Sequence, residues 1–188
     1  MTRTYSHSSS GSSSCGTYRY TLRRVWDELL PTLGWLMLNP STADGLDDDA
    51  TIRKCVGFSN RAGFGAISVV NMYAYRATKP NDMWRALKEG RAVGARNNGE
   101  IRLALKLCSS YVAAWGADPR AWDRANEVMQ MLASERVVPP LVIGLTGREA
   151  TLPGAYYRGP RHPLMAPYGP LLTRETCPGL SSQTWYHG

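Results

Sequence analysis

Leu36-Met37-Leu38-Asn39-Pro40-Ser41-Thr42-Ala43-Asp44 decides how this chain reads. The apolar run from Leu33 to Leu38 stops abruptly at Asn-Pro-Ser. Such a run reads as a central strand buried on both faces. Asn39-Pro40 then makes a polar turn, with a helix start just beyond. In open α/β sheets, ligands bind where the carboxyl ends of strands meet such turns. The stretch therefore puts amide, hydroxyl and carboxylate groups together at a candidate site mouth.

Working outward, Asp47-Asp48-Asp49 precedes a helical pattern from Ala50 to Ala62, with Ile52, Cys55, Val56 and Ser59 on one face. The aspartates suit an N-terminal cap and the positive end of the helix dipole. Gly63 or Gly65 ends the helix. Ala66 to Asn71 is a second buried strand that again runs into a polar turn. Pro80-Asn81-Asp82 starts a further helix, and Gly90, Gly94 and Gly99 split that region into two short helices, the second over Ile101 to Leu107. Tyr111 to Trp115 is a third strand ending at Gly116, Pro119 to Glu135 is helical, and Leu141 to Leu145 is a fourth strand. Tyr18 to Trp26 partly alternates, as an edge strand does.

Strands alternating with helices predict an α/β domain: a three-layer α/β/α sandwich with a mostly parallel central sheet. The expected organisation is a flexible Ser/Gly-rich segment over 1–16, one domain over 17–175 and a tail over 176–188. In a parallel sheet, Asn39-Pro40-Ser41, Asn71, Trp115-Gly116 and Thr146-Gly147 meet at one edge.

At 188 residues, 43% hydrophobic and 20% charged, the chain suits one soluble domain with a substantial core. No apolar run is long enough to span a membrane, and the N-terminus lacks the apolar core of a secretory signal. The expected compartment is the cytoplasm, with no membrane partner. The net charge of +7 favours a polyanion: DNA, or RNA or a nucleotide. Cys15, Cys55, Cys108 and Cys177 are far apart, and His7, His162 and His187 add no metal-like spacing. Free thiols are expected, with no metal and no other cofactor.

Asn39 can orient a water, since an amide positions water rather than taking its proton; equally it can simply shape the turn. Ser41 suits a phosphate, a base or a cap. In the acidic cluster of Asp44, Asp47, Asp48 and Asp49, a carboxylate can stabilise a sugar cation, hold Mg²⁺ or cap the helix. Asn71 offers one acceptor and two donors in a plane, which suits reading the edge of an extruded base. Phe58 or Tyr73 can stack on a base, although Phe58 also fits a core position. Arg76 and Arg161 suit phosphates. His162, after a basic Arg-Gly-Pro-Arg run, can donate to a leaving base or to a phosphate.

Two resemblances rest on these residues. Leu-Asn-Pro-Ser-Thr-Ala-Asp (38–44), Asp-Asp-Ala-Thr-Ile-Arg (48–53), Val-Asn-Met-Tyr-Ala-Tyr-Arg-Ala-Thr (70–78), Trp-Gly-Ala (115–117) and Arg-His-Pro-Leu (161–164) resemble an uncharacterised bacterial and phage domain family. More distantly, Asn39-Pro40, Asn71, Trp115-Gly116 and His162-Pro163 occur in the order of the corresponding elements of the uracil-DNA glycosylase superfamily. Met37 and Leu38 replace the small residue usual there before the turn, and Leu164 replaces a serine. The distant resemblance implies a glycosylase-like fold and an N-glycosidic hydrolase acting on a normal or modified base. Its implied catalytic set is Asn39, Asp44, Asp49 and His162. The implied base or nucleic-acid contacts are Pro40, Ser41, Phe58, Asn71, Tyr73, Arg76, Trp115 and Arg161. The alternatives are a non-catalytic nucleic-acid-binding module and an enzyme acting on free nucleotides in DNA modification.

Overall fold

Apolar runs and polar breaks resolve into eleven elements in the computed structural model, which describes residues 4–41, 47–77, 79–149, 156–173 and 176. In chain order they are β1 (His7–Ser12), β2 (Arg19–Val25), β3 (Thr32–Met37), α1 (Ala50–Arg61), β4 (Ala66–Asn71), α2 (Pro80–Lys88), α3 (Asn97–Lys106), β5 (Ser110–Ala113), α4 (Trp122–Ser134), β6 (Leu145–Glu149) and β7 (Tyr156–Pro160). Single 3-10 turns cover Pro119–Ala121 and Pro163–Met165.

Five strands form one sheet in the order β1-β2-β4-β3-β5. β3 runs parallel to β4 and to β5, whereas β2 is antiparallel to β4 and to β1. The sheet is therefore mixed, parallel through β4, β3 and β5 and antiparallel where β2 and β1 join it. Short turns join β1 to β2 and β2 to β3, and only the later strands have the helical crossovers that parallel pairing needs. β2 is not an edge strand either. The serine-rich segment expected to be flexible supplies β1, which covers it from His7 to Ser12. Main-chain ladder bonds, rather than apolar burial, order that segment.

The expected fourth strand is shorter than the sequence suggests. Leu141 bridges Val112 and Val142 bridges Leu172, each at a single position. Gly144 at φ +123° then breaks the extended run. Leu145 instead opens β6, which pairs with β7 in a separate two-stranded sheet.

Alternation along the strands sorts the core into two clusters. Leu36, Val70, Tyr111 and Ala113 pack with Met83, Trp84, Ile101, Leu105, Val128 and Leu132 from α2, α3 and α4. Trp35, Met37, Ile67, Val69 and Val112 pack with Ile52, Cys55, Val56 and Phe58 of α1. The Trp35 indole donates to Ser59 Oγ at 3.0 Å, and Ser59 donates to Cys55 O, so the indole and the hydroxyl are both satisfied in the core. No helix among the described residues is long and apolar enough to cross a membrane.

Candidate functional site

β3 crosses through α1 to β4 on one side, and β5 continues through α4 to Leu141 on the other. The carboxyl ends of β3 and β5 therefore flank the point where the connections diverge. That point opens a crevice in sheets of this kind. On one side stand Asn39, Pro40 and Ser41. On the other stands Trp115-Gly116, where Gly116 has φ +89° and is suited to glycine.

The segment after β7 closes over this end. Gly116 N donates to Pro160 O at 2.9 Å, and Arg161 N donates to Gly144 O at 2.9 Å. A Cβ on Gly159 would fall 2.2 Å from Gly116 O, so only glycine lets β7 approach the segment after β5 this closely. Gly159→Ala should displace the segment carrying Arg161 and His162 and cost about 1–3 kcal/mol. Chemical denaturation measures the cost, and an unchanged midpoint contradicts that tight approach. Further along, Lys54 Nζ donates to Ala166 O at 2.9 Å, and the Arg61 guanidinium sits 3.9 Å from the Tyr168 ring centroid. Both contacts hold this segment on α1.

Asp49 ties the β3 turn to α1. Its Oδ1 accepts from Ile52 N at 2.8 Å as the helix cap, and its Oδ2 accepts from Ser41 Oγ. Asn39 Nδ2 donates to Pro40 O at 3.0 Å and to Ala77 O at 3.2 Å. Those bonds lock the turn and leave Oδ1 without a partner among the described residues. Asp44 lies outside the described residues.

His162 Nδ1 accepts from Leu164 N at 3.3 Å, which leaves Nε2 to carry the proton of the neutral ring. Burial pushes the His162 pKa below its ordinary 6.5, with the Asp49 charge pulling the other way. The folded state thus prefers neutral His162. Its contribution to stability is complete above about pH 6.5 and is lost as the pH falls from there toward the lower folded pKa. Thermal melts between pH 5 and 8 should show His162→Gln flattening the acid-side decline. Superimposable profiles would contradict this.

Several expected contacts turn out to be core. Phe58 is 2% exposed, with its ring centroid 6.2 Å from that of Trp35 and 4.9 Å from that of Tyr168. No face of that ring is left for a base. Tyr73 is 1% exposed and lies edge-on to Trp84 at 5.9 Å, and burial pushes its hydroxyl up to about 12. Trp115 belongs to the same cluster, and Pro40 is buried. Base-contact roles for Phe58, Tyr73, Trp115 and Pro40 are therefore corrected to packing roles. A 3.6-residue or two-residue period does not separate an aromatic in the core from one at a site mouth.

Asn71 ends β4 opposite Met37 and is buried. Alternation puts it on the face of Trp35, Met37 and Val69, and Asn39 follows Met37 by two residues. Arg76 and Arg161 are half-buried, and neither side chain has a hydrogen bond or ion pair among the described residues. Sequence reasoning missed Asn97 and Arg124, both buried behind the end of β4. The available signal was a polar residue in an apolar helical phase: Asn97 with Ile101 and Leu105, and Arg124 with Val128 and Leu132.

Among the described residues, no three His, Cys, Asp or Glu gather to hold a metal ion. A cavity of about 320 Å³ lies at the opposite end of the sheet, lined in part by Arg23, Asp27, Glu28 and Thr32. Neither a curated protein nor a solved structure matches the chain. A family described as "Protein of unknown function (DUF1643)" matches residues 19–164, and the chain belongs to that family.

Proposed function

We propose that this chain binds a nucleobase of DNA, or of RNA or a nucleotide, at the carboxyl edge of its sheet and hydrolyses the N-glycosidic bond. In this reading the domain is a three-layer α/β/α sandwich of the uracil-DNA-glycosylase kind. The observation that carries the proposal is the bond from Ser41 to Asp49 at the turn that holds Asn39, beside the switch point, with the Asp49 charge raising the His162 imidazole against its burial. Two cations without protein partners among the described residues, Arg76 and Arg161, supply phosphate contacts.

The chemistry assigns each group a step. Asn39 Oδ1 accepts a hydrogen bond from water and aims its oxygen at the sugar C1′. The C1′–N bond breaks with its electron pair leaving on the base, and His162 Nε2–H donates to the base oxygen that gains charge. The Asp49 carboxylate opposes the positive charge on the sugar and takes the water proton as the new C–O bond forms. Asn71, at the end of β4, reads the base edge.

Incubation with duplexes carrying uracil and a panel of modified bases tests this reading. Abasic sites, revealed by alkaline strand cleavage, are expected for at least one base and should vanish in His162→Ala. A folded protein that leaves every duplex intact would sink the hydrolase reading.

One observation favours a binding module without chemistry. Asp49 spends both oxygens on the cap and Ser41, and Asn39 spends its amide nitrogen on two carbonyls. That reading expects salt-sensitive binding with no cleavage. The slope of log affinity against log salt should shrink by roughly one unit in Arg76→Ala or Arg161→Ala. Equal slopes in both variants would contradict phosphate contact by these arginines.

A further inference from the structure

We infer that Asn97 and Arg124 are positioning residues that set the orientation of Asn71 and thereby the base selectivity of the site; this rests on the nucleobase reading above. β4 ends at Asn71, and two buried side chains donate to its carbonyl and to that of Met72, the next residue. Asn97 Nδ2 donates to Asn71 O at 3.0 Å and to Met72 O at 2.8 Å. Arg124 Nε donates to Met72 O at 2.9 Å. Both side chains come from behind the strand, Asn97 from the first turn of α3 and Arg124 from the first turn of α4.

The arrangement is over-built for packing alone. Arg124 is 5% exposed, yet it carries a charge into the core, where Nη1 pairs with Glu127 at 2.7 Å and Nη2 donates to Asn98 Oδ1 at 2.5 Å. Asn97 is fully buried, and its Oδ1 has no hydrogen-bond partner among the described residues while both Nδ2 hydrogens are used. An apolar pair at these positions would avoid a buried charge, but it would take the donors away from the Asn71 and Met72 carbonyls. What such a pair would lose is the fixed direction of three main-chain bonds. With both carbonyls occupied from behind, neither competes for the donors of a ligand, and the Asn71 amide is the group left to read a base. First-contact residues held by a second layer of hydrogen bonds keep the geometry that selectivity requires.

Two measurements on the full chain test this. One is fluorescence anisotropy with duplexes carrying a single unpaired A, C, G, T or U at the centre. Wild type should prefer one nucleotide. Asn97→Ala and Arg124→Met should each reduce that preference about tenfold without changing the salt slope, and Arg124→Lys should restore part of it. Arg102→Ala, in an exposed ion pair of α3, should change nothing. The other is the NMR signature of the Asn71 side-chain amide, whose two proton resonances should be sharp in wild type and broadened in Asn97→Ala and Arg124→Met. Unchanged Asn71 resonances in both variants would overturn the positioning role, as would unchanged selectivity in folded variants. If wild type shows no preference among the five duplexes, the reading of an unmodified base as the ligand fails by itself. The Asn71 resonances then decide the positioning role separately.

Discussion

Arg24→Ala should destabilise the fold by about 3–5 kcal/mol, the cost of breaking a buried ion pair from one side. Arg24 is wholly buried on β2, and its Nε lies 2.9 Å from Asp48 Oδ1. Its guanidinium also lies 5.6 Å from the Tyr5 ring centroid, and Tyr5 donates to Asp48 Oδ2. Truncation strands the Asp48 carboxylate, which is 13% exposed, and unfastens the chain before β1 from the start of α1. For a chain of this length the loss corresponds to a drop in Tm of about 10 °C. Replacing both partners together, as Arg24→Met with Asp48→Leu, should recover most of the loss, because no charge then remains buried alone. Calorimetry on the two single variants and the double variant measures the coupling. A cost below about 1 kcal/mol for Arg24→Ala would show that the pair is not buried as described.

The second large effect separates charge from shape at Asp49. Asparagine caps a helix about as well as aspartate and can still accept from Ser41. Asp49→Asn should therefore melt within about 0.5 kcal/mol of wild type, whereas Asp49→Ala should lose about 1 kcal/mol with the cap. In the proposed hydrolysis the missing charge should slow abasic-site formation by about 10²–10³-fold, the usual effect of removing one electrostatic stabiliser. The same change withdraws the influence that raises the His162 pKa, so that value should fall further below 6.5, as read from ring-proton shifts against pH. Equal rates in Asp49→Asn and wild type would remove Asp49 from the chemistry. It would then be a cap alone.

Much of the fold was legible because its signals are local. Leu33 to Leu38 and Ala66 to Asn71 are short apolar runs that end in polar turns, and they became β3 and β4. Asp49 before Ile52 is a capping pattern, and the bond is there. The antiparallel half of the sheet was not legible. His7–Ser12 carries little apolar surface, and its order comes from ladder bonds to β2 that composition does not encode. The strand ends were legible because they are marked by Asn, Pro and Gly. Phe58, Tyr73 and Trp115 were misread because aromatic residues serve cores and binding surfaces alike. Asn97 and Arg124 went unread because their role depends on which strand end their helices reach.

The most direct measurement is NMR chemical-shift mapping of the labelled protein titrated with a short duplex carrying an extruded base. Base binding at the carboxyl edge predicts shifts concentrated at Asn39, Ser41, Asn71, Gly116, Arg161 and His162. Shifts concentrated instead at Arg23, Asp27, Glu28 and Thr32, around the cavity at the other end of the sheet, would contradict it.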